Sequence, residues 1–283
     1  MRIARVQPPD ADRPALVRLE GETAVVLAHE SDHVAADVLQ EALHAGVDLN
    51  GSGLGSLTAQ QLRFLTPVRR PGRILCAALN YGAHAAETGR AAPAEPMLFA
   101  KFSGSLVDPD GYIEVADSGL GELDYEGELA VVIGKQCRRV THEAALSHVL
   151  GYTIANDVSA RTQQRNDGQW WRAKGSDGFA PLGPVIVTSD ELGDASGLTL
   201  ITTVNSEQRQ EGSTSDLIFS VPELLVHVSR FITLEPGDVL LTGTPPGVGV
   251  AMNPPSFLRD GDQVEVTIDR IGTLRSTVRL RHG

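Results

Sequence analysis

The sequence is poor in cysteine, in positive charge and in long apolar runs, and each shortage removes a class of function. Cys76 and Cys137 are its two cysteines, too few for a disulfide scaffold. Cys76 lies inside an apolar strand-like run and Cys137 just after one, so buried, inert thiols are expected. Lysine and arginine number 24 against 36 acidic residues, a formal charge of −12. Nucleic-acid binding needs a basic stripe to neutralise phosphate, and here the basic residues gather only in pairs, Arg69-Arg70 and Arg138-Arg139. No nucleic-acid partner is expected. Apolar runs such as Ile74–Leu79 and Leu129–Ile133 fall far short of the roughly 20 residues of a spanning helix. Met1–Pro14 has no apolar core of a signal peptide. The expectation is a cytoplasmic protein with no membrane partner. Also missing are a G-x-S-x-G nucleophile context and the Walker and G-x-G-x-x-G patterns.

What remains is an ordinary globular composition, 41% hydrophobic with 29 glycines among 283 residues. That length suits one large domain, or a medium domain with a small companion. The first 70 residues differ from the rest. Ala15–Glu20 and Thr23–Ala28 flank Glu20-Gly21-Glu22 and predict a hairpin. Val34–Ala45 places Ala35, Val38, Leu39, Ala42 and Leu43 on one face of a helix closed by Gly46. From Pro71 onward strands and turns prevail. Ile74–Leu79, Gly127–Ile133, Pro184–Thr188, Leu198–Val204, Asp238–Thr242 and Gln263–Ile268 predict strands. Tyr81–Glu87, His142–Leu150 and Val221–Phe231 predict helices. Many strands with few helices argue a β-rich α+β fold and not a βαβ alternation.

The chemistry-bearing residues gather in a few segments. In Leu123–Gly134 (LDYEGELAVVIG) a strand with period two would put Asp124, Glu126 and Glu128 on one face. The apolar run Leu129–Ile133 then carries the strand into the core. Acids entering a core need a proton, a base or a metal. A solvated edge face is the plain alternative, and a glycosidase-like acid pair does not suit carboxylates that point the same way. A hard divalent cation needs at least one more carboxylate. Asp157, at the end of the strand-like Tyr152–Ala155, could complete such a site, or could simply cap the following turn. Lys174 is a candidate to balance the acids, or a snorkelling surface lysine. His84 and Glu87 stand at i and i+3, where a carboxylate on one imidazole nitrogen makes the other a better base; a surface pair has the same spacing. Thr242–Gly249 (TGTPPGVG) offers backbone N–H groups and the Thr244 hydroxyl to an anion, or is plain turn chemistry.

Taken in order, these segments resemble the fumarylacetoacetate hydrolase family over about three quarters of the chain. The carrying matches are Leu79-Asn80-Tyr81 with His84 and Glu87, Pro96–Lys101 (PMLFAK), Asp124–Leu129 (DYEGEL), Val132–Lys135 (VIGK), Gly151–Arg161 with Gln164, Lys174–Pro184 and Leu234–Gly249. The resemblance implies a mixed β-sandwich roll, assembled as a homodimer, with residues 71–283 as catalytic domain and residues 1–70 as a small N-terminal α+β accessory domain. It implies Mg²⁺ or Mn²⁺ on Glu126, Glu128 and Asp157, and no organic cofactor. His84, Glu87 and Lys174 fall on catalytic positions. Tyr81, Arg161, Gln164 and Thr244 fall on substrate-binding ones. The implied activity is metal-dependent hydrolysis of a C–C bond in a 2,4-dioxo, acylpyruvate-like acid through an enolate, giving a 2-oxo acid and a carboxylic acid. Decarboxylation of oxaloacetate, or isomerisation of a 2-hydroxydiene-dioate, is the alternative on the same metal site. The chain departs from the family's usual pattern at Asn205-Ser206-Glu207 and at Ser213–Phe219.

Overall fold

Seven consecutive residues, Gly127–Ile133, are buried, and their side chains divide between two cores. Leu129, Val131 and Ile133 join one core with Leu200, Val266, Ile268 and Leu274. Ala130 and Val132 point the other way and meet Leu39 and Ala42. Alternation along a strand sends successive side chains to opposite faces, so a strand covered on both faces must be apolar throughout. That is the sequence observed here.

The computed structural model describes residues 1–31, 37–116 and 120–281. Its large sheet has twelve strands, ten of them in one path: Gly55–Thr58, Thr23–His29, Ala15–Glu20, Arg2–Gln7, Ala180–Thr188, Val149–Asn156, Gly127–Ile133, Val239–Leu241, Ile74–Ala78 and Met97–Lys101. Pairing along it is antiparallel except between Val239–Leu241 and Ile74–Ala78. A five-stranded sheet runs Glu207–Ser213, Thr199–Val204, Gln263–Ile268, Gly272–Arg281 and Gly111–Ala116, the last pair parallel. Side chains from its inner face, with Leu224, Leu225 and Val228 of helix Val221–Phe231, cover one side of the large sheet. Helix Val38–His44 covers part of the other. The fold is therefore the expected β-rich α+β sandwich with mixed sheets.

The N-terminal strands extend the large sheet directly. Arg2 and Ile3 pair with Val187 and Ile186, and the expected hairpin forms between Ala15–Glu20 and Thr23–His29. Among the described residues no helix is long and apolar enough to cross a membrane. Both cysteines are buried and free, and burial pushes both thiols above their ordinary range.

Three predicted helices are shorter than expected. The first starts at Val38 because the Asp37 side chain accepts from Leu39 and Gln40 N–H and caps it; positions 34–36 of the predicted span lie outside the described residues. Tyr81 belongs to an isolated bridge with Leu217, so the second helix is Gly82–Glu87. His142–Leu150 is one turn, His142–Ala145, followed by a 3₁₀ turn. Val149 already pairs with Ile133 in the large sheet, which overrides its place in the helical pattern. Strand Gly272–Arg281 carries no extended apolar run; it is held by partners on both sides, Gln263–Ile268 and Gly111–Ala116.

Strands Gly127–Ile133 and Val149–Asn156 are antiparallel, with Gly127 opposite Asn156. The acidic start of one strand therefore meets the acidic end of the other. Closer to the middle, Gly151 leaves no room for a side chain: a Cβ there would run into the Val187 carbonyl and come 2.8 Å from Thr188 Cα. Gly151→Ala is expected to lower stability by about 1–3 kcal/mol, the usual cost of overpacking. Urea titration would measure it, and an unchanged midpoint would refute this account of the strand contact.

Candidate active site

The register brings three acids together. One rung beyond the Gly127–Asn156 pair, Asp157 N–H donates to the Glu126 carbonyl at 2.8 Å, so Glu126 and Asp157 face each other at the end of the ladder. Glu128 follows two residues later on the same strand. Glu126, Glu128 and Asp157 are all buried, with oxygens within 4.8 Å of one another. At an effective dielectric of about 20, each like-charged pair at that range costs roughly 3 kcal/mol. Such a cluster needs cations nearby.

Three side chains supply them. Lys174 Nζ lies 2.8 Å from Glu126 Oε2 and 2.8 Å from Asp157 Oδ2. Lys101 Nζ lies 2.6 Å from Asp157 Oδ1 and also donates to the carbonyls of Phe179, Val158 and Lys174. Arg161 Nη2 lies 2.7 Å from Glu126 Oε1 while its Nε reaches Asp124 Oδ2 at 2.8 Å. The titration behaviour follows. Burial opposes ionisation of Glu126, but Lys174 and Arg161 outweigh it and hold the carboxyl far below its usual range. Burial also works against the Lys174 ammonium, yet Asp157 and Glu126 more than restore it. Among the described residues Glu128 has no ion pair, its carboxyl accepting instead from Gly243 N–H. Burial, reinforced by the charges of Asp157 and Glu126, pushes its carboxyl well above the ordinary range.

Asp124 does not share the face of Glu126 and Glu128. The strand is broken at Tyr125-Glu126, because Leu123–Asp124 pairs separately with Ser159–Ala160. The Asp124 carboxylate holds Arg161 and accepts N–H donors from Gly249 and Val250. The glycine-rich loop as a whole binds the chain's own acids. Gly243 N–H donates to Glu128 at 2.6 Å, and Gly247 N–H to Glu87 at 2.8 Å. The anions met by this loop are thus protein carboxylates. The Thr244 hydroxyl is likewise engaged: it donates to the Gly127 carbonyl and accepts from Gln210.

A cavity of about 310 Å³ opens on this cluster and is lined by Glu126, Glu128, Lys174, Arg161, Gln164 and Thr244, with His84 and Glu87 also on its wall. His84 Nδ1 lies 2.8 Å from Glu87 Oε1, and the other Glu87 oxygen is held by Gly247. Gln164 Oε1 accepts from Arg161. Asp157 is fully buried and does not line the wall. Tyr81, the remaining expected substrate contact, is also buried and is not on the wall; it is the residue before the His84 helix.

The donor set is all hard carboxylate oxygen, which suits a divalent cation of the Mg²⁺ and Mn²⁺ kind and not a thiolate-seeking ion. The raised Glu128 carboxyl fits this too, since it lacks the counter-charge that a cation would bring. Two contributors escaped the sequence reading. Lys101 ends an apolar strand, and a lysine closing such a run was the available signal. Gln210, fully enclosed, ties Gly127 N–H to Thr244 and the Pro245 carbonyl, and no local pattern marks it.

Residues 73–279 match the family described as fumarylacetoacetate hydrolase, C-terminal. The chain is 44% identical over 225 residues to a mitochondrial oxaloacetate tautomerase of Bos taurus, covering 78% of this chain and 71% of that one. A solved fumarylacetoacetate hydrolase from Exiguobacterium antarcticum is 40% identical, with a TM-score of 0.85, covering 99% of this chain and 100% of that one. A maleylpyruvate hydrolase from Sphingobium sp. SYK-6, solved with manganese(II) and pyruvate, is 27% identical with a TM-score of 0.81, covering 99% of this chain and 100% of that one.

Two outcomes follow from the charge arrangement. Lys101→Met removes one of the two ammonium groups on Asp157 and leaves Lys174, and is expected to cost about 1–3 kcal/mol in metal-free protein, and less with saturating Mn²⁺; denaturant titrations with and without metal would show the difference. Burial and the neighbouring carboxylates favour the protonated Glu128 carboxyl and a cation competes with that proton, so Mn²⁺ affinity is expected to rise with pH. Calorimetry would record it, with Glu126→Gln as the variant that loses binding. Affinity that is flat with pH would refute this account of Glu128.

Proposed function

The chain belongs to the fumarylacetoacetate hydrolase family, and on that premise we propose that it is a divalent-metal-dependent enzyme that interconverts the enol and keto forms of an oxaloacetate-type 2-oxo acid. The observation that carries the reading is the His84–Glu87 pair on the cavity wall. Glu87 is fixed by Gly247 and engages Nδ1 of the imidazole, which leaves Nε2 as the nitrogen that exchanges protons with a ligand. The identity to an oxaloacetate tautomerase supports the same reading.

A cation on Glu126, Glu128 and Asp157 would supply Lewis-acid polarisation of the 2-oxo group. The chain's own residues do the rest. Lys174 and Lys101 hold the carboxylates in one arrangement against their mutual repulsion. Arg161 fixes Glu126 from the other side and turns Gln164 toward the cavity wall. His84 takes a proton from C3 of the keto acid at Nε2 and delivers it to the 2-oxygen to give the enol, and carries it back from that oxygen to C3 in the reverse direction, while Glu87 stabilises the imidazolium formed in between. Enolisation needs no water and breaks no C–C bond, so this pair suffices for proton transfer at C3.

Hydrolysis of a 2,4-dioxo acid, the expectation from sequence, is the second reading. It is favoured by the likeness to a solved fumarylacetoacetate hydrolase, and would use His84 to deprotonate water. Decarboxylation of oxaloacetate draws on the same site without that step. Residues 71–283 act as the catalytic unit and 1–70 as an accessory segment in this proposal, because every residue of the cavity wall lies beyond position 76.

The test is a pair of assays with Mg²⁺ or Mn²⁺ and matching EDTA controls. Loss of enol absorbance from oxaloacetate is expected to accelerate with enzyme, and that acceleration is expected to vanish with EDTA and to fall roughly 10²-fold or more in His84→Ala. NMR of acetylpyruvate reads the hydrolase alternative. Acetate and pyruvate without enol acceleration would overturn the tautomerase reading in favour of hydrolysis.

A further inference from the structure

Four cations line the cavity, Arg90, Arg161, Arg165 and Lys174, and three of them are already matched. Lys174 sits between Glu126 and Asp157. Arg161 spans Asp124 and Glu126. Arg165 is paired with Glu122. Among the described residues the Arg90 guanidinium has no hydrogen bond or ion pair. It is the uncompensated positive charge of the wall.

Its backbone is firmly placed. Helix Gly82–Glu87 ends with Gly89 at φ +70, and Gly89 N–H donates to the Ala86 carbonyl while Arg90 N–H donates to that of Ala85. This is the Schellman arrangement, in which a left-handed residue lets the chain close the last helical carbonyls. Arg90 is thereby tied to the same short helix that carries His84 and Glu87. A ligand group held by Arg90 therefore orients against the proton-transfer pair through one rigid element. A carboxylate matches a free guanidinium through two parallel hydrogen bonds.

We propose that Arg90 determines specificity by binding the second carboxylate of a 2-oxo dicarboxylic acid, whose 2-oxo acid head lies at the carboxylate cluster. The head-group assignment rests on the proposed function above; the role of Arg90 adds the substrate class, diacids over acids with an uncharged tail.

Malate and lactate are stable probes that share a 2-hydroxy acid head and differ in the second carboxylate. Calorimetry with Mn²⁺-loaded protein is expected to show wild type binding malate about 10–100-fold more tightly than lactate, the contribution of one charge-assisted pair. Arg90→Ala is expected to remove that preference while lactate affinity changes less than about twofold. Arg90→Lys should recover only part, because an ammonium lacks the planar fork. In parallel, the KM for oxaloacetate should rise about tenfold in Arg90→Ala. Malate affinity unaltered by Arg90→Ala, or lactate affinity falling with it, overturns the proposal. Arg90-dependent malate preference in an enzyme that does not turn over oxaloacetate would uphold Arg90 and sink the tautomerase reading. Oxaloacetate turnover with a KM indifferent to Arg90 would do the reverse.

Discussion

The mutual repulsion of Glu126, Glu128 and Asp157, buried within 4.8 Å of one another, is the constraint around which the rest of the structure is arranged. Left alone, buried like charges of this kind are costly. The chain meets that cost from distant segments. Lys101 arrives at the end of an edge strand, Lys174 from a helical turn after Trp170, and Arg161 from the turn after Asp157. The glycine-rich loop adds N–H donors to Glu128, Glu87 and Asp124. Packing is subordinate to this in one telling place. A Cβ on Gly127, between the two glutamates, would approach Val266 Cγ1 to 2.9 Å; the absence of a side chain lets the second sheet close against the base of the site.

The same arrangement separates the labour within the cavity. One part, made of carboxylates and their ammonium and guanidinium partners, is rigid because each group is held by at least one charged or backbone neighbour. Another, the helix Gly82–Glu87 with Arg90 beyond it, carries the groups that we propose exchange protons or meet the far end of a ligand. The glycine-rich loop connects the two, since Gly243 holds a member of the cluster and Gly247 holds a member of the proton-transfer pair. A site so divided suits chemistry that begins with enolisation of a 2-oxo acid.

Legibility varied with the range of the interactions. Strands Gly127–Ile133 and Gln263–Ile268, and helix Val221–Phe231, have in the structure the limits that their apolar patterns predict. His84 with Glu87 is an i, i+3 contact and was readable from spacing. Glu126, Glu128, Asp157 and Lys174 were individually ambiguous; their order along the chain and the resemblance drew them together, and the structure brings them within contact. Asp124 misled because strict alternation was assumed through Tyr125-Glu126, where the ladder changes partner. Lys101 and Gln210 carry no local signal of their partners: Asp157 lies 56 residues beyond Lys101, and Gln210 joins Gly127 at the start of a strand to the distant Thr244-Pro245 loop.

By itself the sequence determined which residues alternate, where the chain turns, and which acids, bases and glycines are available. These are consequences of local geometry, period two in strands and 3.6 in helices. The tertiary structure alone decided that Arg161 and Lys174 share Glu126, that the glycine-rich loop spends its N–H groups on protein carboxylates, that Thr244 points its hydroxyl at Gly127, and that Arg90 has no counter-ion among the described residues. Charge pairing and hydrogen bonding act through space between segments that no local period relates. Their outcome is set only when the sheets have brought those segments within a few ångströms.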